Sequence, residues 1–317
     1  MGRILILGGT RFVGKLAASR LAHYHDLTVL SRNPVEIIGA RRIVQDRAVG
    51  LAELSNERFD TVLDFIAYDQ TDVPQACALA DTYLAISSAW LPRLNKGTAD
   101  GVVPENDSTA PSNMLAVTRR YLLGKARLEE AIHNCREQGR SAAALRLPIL
   151  MGDEDHTGRL DFYRRRITDG GPLLLVDGGK NAAQLLWSED VVRLIVSLVD
   201  SGCGGERAIW EALPDNGIKV ADFVDQVAKS MGTTNRCVDA PADRLINELP
   251  AYLEAEPLWR ESSLAKTEAN LFTRLNVTPT SPMEWLSRLS KPIDNSVDAT
   301  RSAEIAFANK LITCALN

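Results

Sequence analysis

Three features of the sequence predict an α/β protein built on a doubly wound parallel sheet, followed by a smaller mixed α/β region. Short apolar runs alternate with amphipathic stretches through the first half, at Ile4–Leu7, Leu27–Leu30, Thr61–Ile66, Tyr83–Ile86 and Ala142–Leu147. These runs are continuous rather than alternating, as strands covered on both faces require. A glycine-rich turn separates the first run from the first helical stretch. Helical periodicity spans Gly14–His23 and Asp72–Ala80, and a longer helix is expected over Ser112–Gln138. Later the pattern loosens. Leu173–Val176, Gln184–Trp187 and Ala208–Trp210 read as short strands, and Glu189–Asp200 and Val220–Met231 as helices. From about Asp239 the chain reads as helical, broken by Pro241, Pro250 and Pro257, with a last amphipathic helix over Thr300–Leu316. A sheet domain over residues 1–150 and a second region over 151–317, returning partly to the sheet, is the expected division.

Composition narrows the class. The 317 residues, 45% hydrophobic, suffice for one large core or a domain with an appendage. A formal charge of −5 offers no basic field for nucleic acid or an anionic membrane. No apolar run approaches the roughly 20 residues of a membrane helix, and the run Arg3–Gly8 is too short for the core of a signal peptide. The five cysteines form no CxxC pair and no metal-like spacing. They read as free thiols in a reducing compartment, so a cytoplasmic protein without a metal site is expected.

The sharpest local signal is Ile6-Leu7-Gly8-Gly9-Thr10-Arg11-Phe12-Val13-Gly14. A chain leaving a strand sharply needs glycine at the turn, and a helix packing closely on the sheet needs another. Gly8 and Gly14 meet these demands. The N–H groups at the helix start then face a diphosphate. The turn thus predicts a Rossmann-type dinucleotide-binding domain. Arg11 occupies the middle of the glycine spacing, near the adenosine end. The second strand runs out into Ser31-Arg32, where an NAD enzyme usually carries an acid that binds the ribose diol and repels a 2′-phosphate. A hydroxyl and a guanidinium fork suit that phosphate. NADP is therefore preferred, with NAD open; a solvated loop residue is the plainer reading of Arg32.

The strand at Tyr83–Ile86 runs out into Ser87-Ser88, at the sheet edge where open α/β folds bind ligands. Tyr121 and Lys125 stand four apart, on one face of a helix with Leu128 and Ile132. An adjacent ammonium stabilises a phenolate, so Tyr121 is expected to have a lowered pKa and to exchange a proton with a substrate oxygen. Lys125 would also reach the nicotinamide ribose. Either Ser87 or Ser88 would hold the oxygen; Ser88 is preferred.

With these residues in place, the sequence resembles the short-chain dehydrogenase/reductase superfamily, in its extended and atypical epimerase/dehydratase-like branch. The loop Gly8-Gly9-Thr10-Arg11-Phe12-Val13-Gly14 looks like the subgroup that contains chloroplast stem-loop-binding proteins and bacterial reductases. The resemblance implies that Thr10, Phe12 and Val13 line the cofactor with the glycines. It places Asp46 and Arg47, after a third strand, near adenine, and Ile66 and Ala67, within Asp64-Phe65-Ile66-Ala67, near the ribose. Pro148 and Ile149, within Arg146–Gly152, would meet the nicotinamide carboxamide, and Leu186–Val191 is similar to the family's entry into a late helix.

The departures also carry information. Where the family's dehydratases have an Asp-Glu pair, this chain has Ala89 and Trp90, so dehydration is set aside and Trp90 is expected to face the substrate. The family's Tyr-Gly is replaced within Leu91-Pro92-Arg93. In similar enzymes the segment after Gly152 folds over the substrate. Arg159, and one of Arg164–Arg166, would there grip a diphosphate or carboxylate, although a triple arginine run also reads as a solvated face. His156 is a candidate proton donor or a surface histidine, and Trp187 and Trp210 read as core. The expected function is an NADP-dependent oxidoreductase acting on a carbonyl/hydroxyl carbon of a small polar substrate. The alternatives are a nucleotide-sugar epimerase with tightly bound NAD, and a non-catalytic cofactor-sensing or RNA-binding relative. A homodimer through the long helices is common in similar proteins.

Overall fold

Alternate side chains of the first strand serve two cores at once. Ile4 and Ile6 pack on one face of a parallel sheet, and Leu5 and Leu7 on the other. The computed structural model describes residues 1–91, 112–214, 217–259, 269–289 and 300–316. The first half runs β1 (Arg3–Leu7), α1 (Phe12–Leu21), β2 (Asp26–Ser31), β3 (Ala40–Val44), α2 (Arg47–Glu53), β4 (Phe59–Asp64), α3 (Val73–Ala78), β5 (Ala80–Ser88), α4 (Ser112–Glu137) and β6 (Ser141–Leu147). Then come β7 (Ile149–Met151), α5 (Arg159–Thr168), β8 (Leu173–Val176), β9 (Ala182–Ala183), β10 (Leu185–Trp187), α6 (Ser188–Ser201), β11 (Ile209–Glu211) and β12 (Ile218–Lys219). The rest is α7 (Val220–Ser230), β13 (Cys237–Ala240), α8 (Ala242–Glu248), α9 (Pro250–Ala255), α10 (Leu271–Arg274), α11 (Pro282–Leu286) and α12 (Arg301–Leu316).

The main sheet has seven strands in the order β11-β6-β5-β4-β1-β2-β3, all parallel. This is the doubly wound Rossmann-type arrangement that the alternation predicts, with β11 returning late in the chain to pair with β6. The strand order reverses between β1 and β4, which opens a crevice between the loops that follow them. Side chains of α1 and α6 join Leu63, Leu84 and Leu145 in one core, whereas α2, α3 and α4 cover Val62, Tyr83 and Ala144 on the other. β3 is the outer strand, with Arg41 and Arg42 exposed, which is why it is absent from the apolar runs.

A second core lies outside the main sheet. It gathers α5, α7, α9, α11 and α12 around a two-stranded parallel ladder of β8 and β13. β13 corrects the expectation of helix from about Asp239: the short Cys237-Val238-Asp239-Ala240 carries no apolar run, and pairing with the fully buried β8 makes it a strand. Trp187 and Trp285 stack in this core with ring centroids 5.3 Å apart, and Trp210 is buried behind the main sheet, so the tryptophans read as core are core. Parallel pairing of β7 with β10 joins the end of the first half to the second. Among the described residues, no helix is long and apolar enough to cross a membrane.

Candidate active site

The loop after β1 forms the floor of a cleft of about 800 Å³. Gly8 has φ +88° and donates its N–H to the Leu30 carbonyl, 2.9 Å, which turns the chain out of the sheet. A Cβ at Gly8 would lie 2.2 Å from Ile66, so only a bare backbone fits between the two loops of the crevice. Helix α1 begins at Phe12, itself at φ +41°, a strained conformation of the kind held at ligand sites. The first turn of α1 carries no acid, and its N–H groups open toward the cleft. Gly8, Thr10, Arg11, Phe12, Val13 and Gly14 all line it.

At the far end stand Ser31, Arg32, Asp46 and Arg47. Arg11 and Arg32 are exposed. The Ser31 hydroxyl donates to the Asn33 carbonyl at 2.8 Å, so its proton is turned away from the donor role expected of it. Arg47 departs further from its expected part near adenine. Its guanidinium forks onto Asp64 at 3.0 and 2.6 Å and donates to the Asp72 carbonyl. Asp64 is fully buried and also accepts from the Ile66 and Ala67 N–H groups, at 3.1 and 2.8 Å, and from the Tyr83 hydroxyl at 2.9 Å. The pair therefore shapes the loop after β4. Asp46 caps α2 by accepting from the Ala48 N–H. Ile66 lines the cleft; Ala67 does not, and offers its carbonyl to Lys125 instead. Leu147 and Leu150 stand in the lining where Pro148 and Ile149 were expected, because Ile149 turns into the second core.

Helix α4 presents three polar side chains at intervals of four. Tyr121 is half-buried. Lys125 is buried, and its ammonium donates to the Ala67 and Ile86 carbonyls at 2.6 and 2.8 Å, 5.9 Å from the centre of the Tyr121 ring. Burial pushes Lys125 down to about 8, against the pull of Asp64, Asp72 and Glu129. Glu129 accepts from the Ser87 hydroxyl at 2.6 Å and from Arg146 at 3.0 and 2.8 Å. Ser87 is thereby turned away, and Ser88 stands near enough to the Tyr121 phenol to favour its ionised form. The Ser88 oxygen also accepts from the Trp90 N–H at 3.2 Å.

The expected acidification of Tyr121 by Lys125 is not what the structure shows. Burial raises the phenol above its ordinary value, outweighing the opposing Ser88 hydroxyl and Arg159 charge, and Tyr68 adds to the rise. The phenol is thus a proton donor at neutral pH.

The segment after Gly152 supplies His156 to the cleft. Arg159 donates to the Thr157 hydroxyl at 2.7 Å and lies 3.6 Å from Asp155. Both readings of the triple arginine fail for Arg166. It is fully buried, paired with Glu304 and stacked 3.5 Å over the Phe162 ring. Arg164 pairs with Asp161 at 3.2 Å. Pro92 and Arg93 lie outside the described residues. Trp90 packs with Tyr121 against Leu91 and Leu122. Sequence reasoning missed Glu129 and the Arg47–Asp64 pair; the spacing Tyr121, Lys125, Glu129 was the available signal for the first.

Residues 72–209 match the model of the NAD dependent epimerase/dehydratase family. The match covers less than half of the chain. Solved structures share the fold of this chain at low identity. An NAD-dependent NDP-hexosamine 5,6-dehydratase of tunicamycin biosynthesis, TunA, is 14% identical at TM-score 0.65, covering 90% of this chain and 95% of the other. The UDP-glucuronic acid 4-epimerase of Bacillus cereus, in complex with NAD, is 13% identical at TM-score 0.65, over 90% and 94%. RMD from Pseudomonas aeruginosa, complexed with NADPH, is 16% identical at TM-score 0.62, over 90% and 97%. No curated protein matches the sequence.

Proposed function

We propose that the chain is an NADP-dependent oxidoreductase acting on a carbonyl/hydroxyl carbon of a small polar substrate. One observation carries the reading. Ser88 and Lys125 both lie near Tyr121, and Lys125 donates to the Ala67 carbonyl of the loop whose Ile66 closes on Gly8. The residues present fit a dinucleotide: the backbone-lined turn and the start of α1 suit a diphosphate, and Lys125 suits the nicotinamide ribose. Exposed Arg11 and Arg32, with no acid after β2, favour a 2′-phosphate on the adenosine.

A bound nicotinamide supplies the hydride donor or acceptor. Tyr121, kept protonated by burial, gives its proton to a carbonyl oxygen, and Ser88 holds that oxygen in place. The Lys125 ammonium, fixed by two carbonyls, sets the positive potential on the far side of the phenol. Ala89 and Trp90 stand where a dehydratase needs acids, so no side chain there expels a hydroxyl.

A second reading, a nucleotide-sugar epimerase, draws on the substrates named for two of the similar structures. The two readings separate on purification: an epimerase retains stoichiometric cofactor without net turnover, and a reductase consumes added NADPH. Replacing Tyr121→Phe is expected to lower kcat for NADPH-dependent carbonyl reduction by about 10²–10⁴-fold while the NADPH Kd holds. Undiminished turnover in that variant overturns the proposal.

A further inference from the structure

We infer that Tyr68 is a substrate-binding residue whose ring, beside Tyr121, takes a flat apolar face next to the reacting carbonyl, so that the substrate class is a carbonyl compound carrying a planar ring. The inference rests on the oxidoreductase reading and adds to it the shape of the substrate.

The first observation is a glycine inside α4. Gly124 lies between Tyr121 and Lys125, where glycine costs a helix about 1 kcal/mol relative to alanine. A Cβ there would lie 2.8 Å from the Tyr68 carbonyl oxygen and 3.1 Å from its ring. The missing side chain seats the loop after β4 directly on the catalytic helix. The second observation is where this puts the phenol ring. Its centroid is 6.0 Å from that of Tyr121, tilted by 51°, and Tyr68 remains 40% exposed. An aromatic face is thus open to solvent alongside the proposed proton donor.

The ring is held firmly. The Tyr68 N–H donates to Asp72 at 2.7 Å, and the Asp69 N–H donates to the same oxygen at 3.1 Å. The preceding carbonyl, of Ala67, accepts from Lys125, and the Ala67 N–H donates to Asp64. Backbone fixed on both sides of the residue leaves little ordering cost when a ligand stacks on it. Trp90 packs with Tyr121 against Leu91 and Leu122, so the phenol stands among aromatic and aliphatic surfaces. Asp69 and Asp72, the nearest acids in the loop, are engaged by backbone N–H groups and by Arg127 and Arg47. What the Tyr68 loop offers beside Tyr121 is therefore ring surface, which favours offset or edge-to-face contact with another ring.

The test compares acetophenone with methyl hexyl ketone, which has the same number of carbons but no ring, using the full chain and NADPH. Tyr68→Ala is expected to raise KM for acetophenone about tenfold, to leave KM for the open-chain ketone within about twofold, and to leave kcat and the NADPH Kd unchanged. Tyr68→Phe, which keeps the ring, is expected to behave as the native chain. Equal KM changes for the two ketones, or a loss confined to kcat, overturns the inference. If no carbonyl turns over, the oxidoreductase reading fails separately, and calorimetric titration of the NADP-loaded protein with both ketones decides the wall. An affinity for acetophenone at least fivefold weaker in Tyr68→Ala sustains it. Equal affinity in both proteins, no acetophenone binding at all, or a UDP-hexose bound alike with and without the ring overturns it.

Discussion

Among the described residues that line the cleft, Arg11 and Arg32 are exposed, whereas Ser31 and Arg47 beside them are engaged. Ser31 gives its proton to Asn33, and Arg47 gives its fork to Asp64. On the NADP reading proposed above, discrimination between the two nicotinamide dinucleotides would fall on guanidiniums rather than on a hydroxyl. Replacing Arg32→Asp removes a charge-assisted contact worth about 1.5–3 kcal/mol and sets an anion in its place. NADPH binding is expected to weaken at least tenfold, and NADH binding to change little. Fluorescence titration of both cofactors checks this, and equal losses for the two would locate the phosphate elsewhere. The position of Arg32 at the cleft was legible in the sequence because it follows from the end of a strand. The role of Arg47 was not, since its partner Asp64 comes from another strand and only the fold joins them. The choice between Ser87 and Ser88 likewise needed Glu129, which decides which hydroxyl faces inward.

At the scale of elements, the long helix and the short strands β8, β10 and β11 were readable, whereas β7 and β13 were not. The four-residue spacing of Tyr121, Lys125 and Glu129 puts them on one face of α4 whatever the tertiary context. β13 carries no apolar run and β7 follows β6 across Pro148 alone, so only their pairing marks them as separate strands. The helix α12 was expected from its pattern, but its anchor was hidden within an arginine run. Arg166 reaches Glu304 inside the second core, and Thr300 and Arg301 complete the carboxylate's partners. Removing one member of a buried pair leaves a charge without compensation. Arg166→Met is therefore expected to cost about 3 kcal/mol in urea unfolding. The double replacement with Glu304→Met should recover a large part of that loss. A single variant as stable as the native chain would show that the pair does not hold α12.

For the whole molecule, the two cores differ in what they bury. The sheet side holds buried Asp64 on the Arg47 guanidinium and the Tyr83 hydroxyl, whereas the second core encloses Glu256 between the Tyr163 hydroxyl and the Leu258 and Trp259 N–H groups. Burial raises this carboxyl to about 7 from an ordinary 4.5. The folded chain therefore holds a proton that the unfolded chain has released between those values. The stability contributed by the neutral acid is complete below the ordinary value and is lost as pH rises through about 7. The Tm is expected to fall between pH 5 and 8, and Glu256→Gln to flatten that fall; scanning calorimetry at both values measures it. A native-like slope in the variant would assign the pH dependence to other groups.

The late arrival of β11 has a consequence for synthesis. β6 leaves the ribosome with one flank bare, and the segment that covers it follows about 60 residues later, a delay of roughly 3–12 s at ordinary elongation rates. During that interval the nascent chain exposes Ala142–Leu147 as an open apolar ribbon, so a chaperone that shields strands, or slow codons placed after Glu211 instead of before it, should govern how much of the newly made polypeptide escapes aggregation.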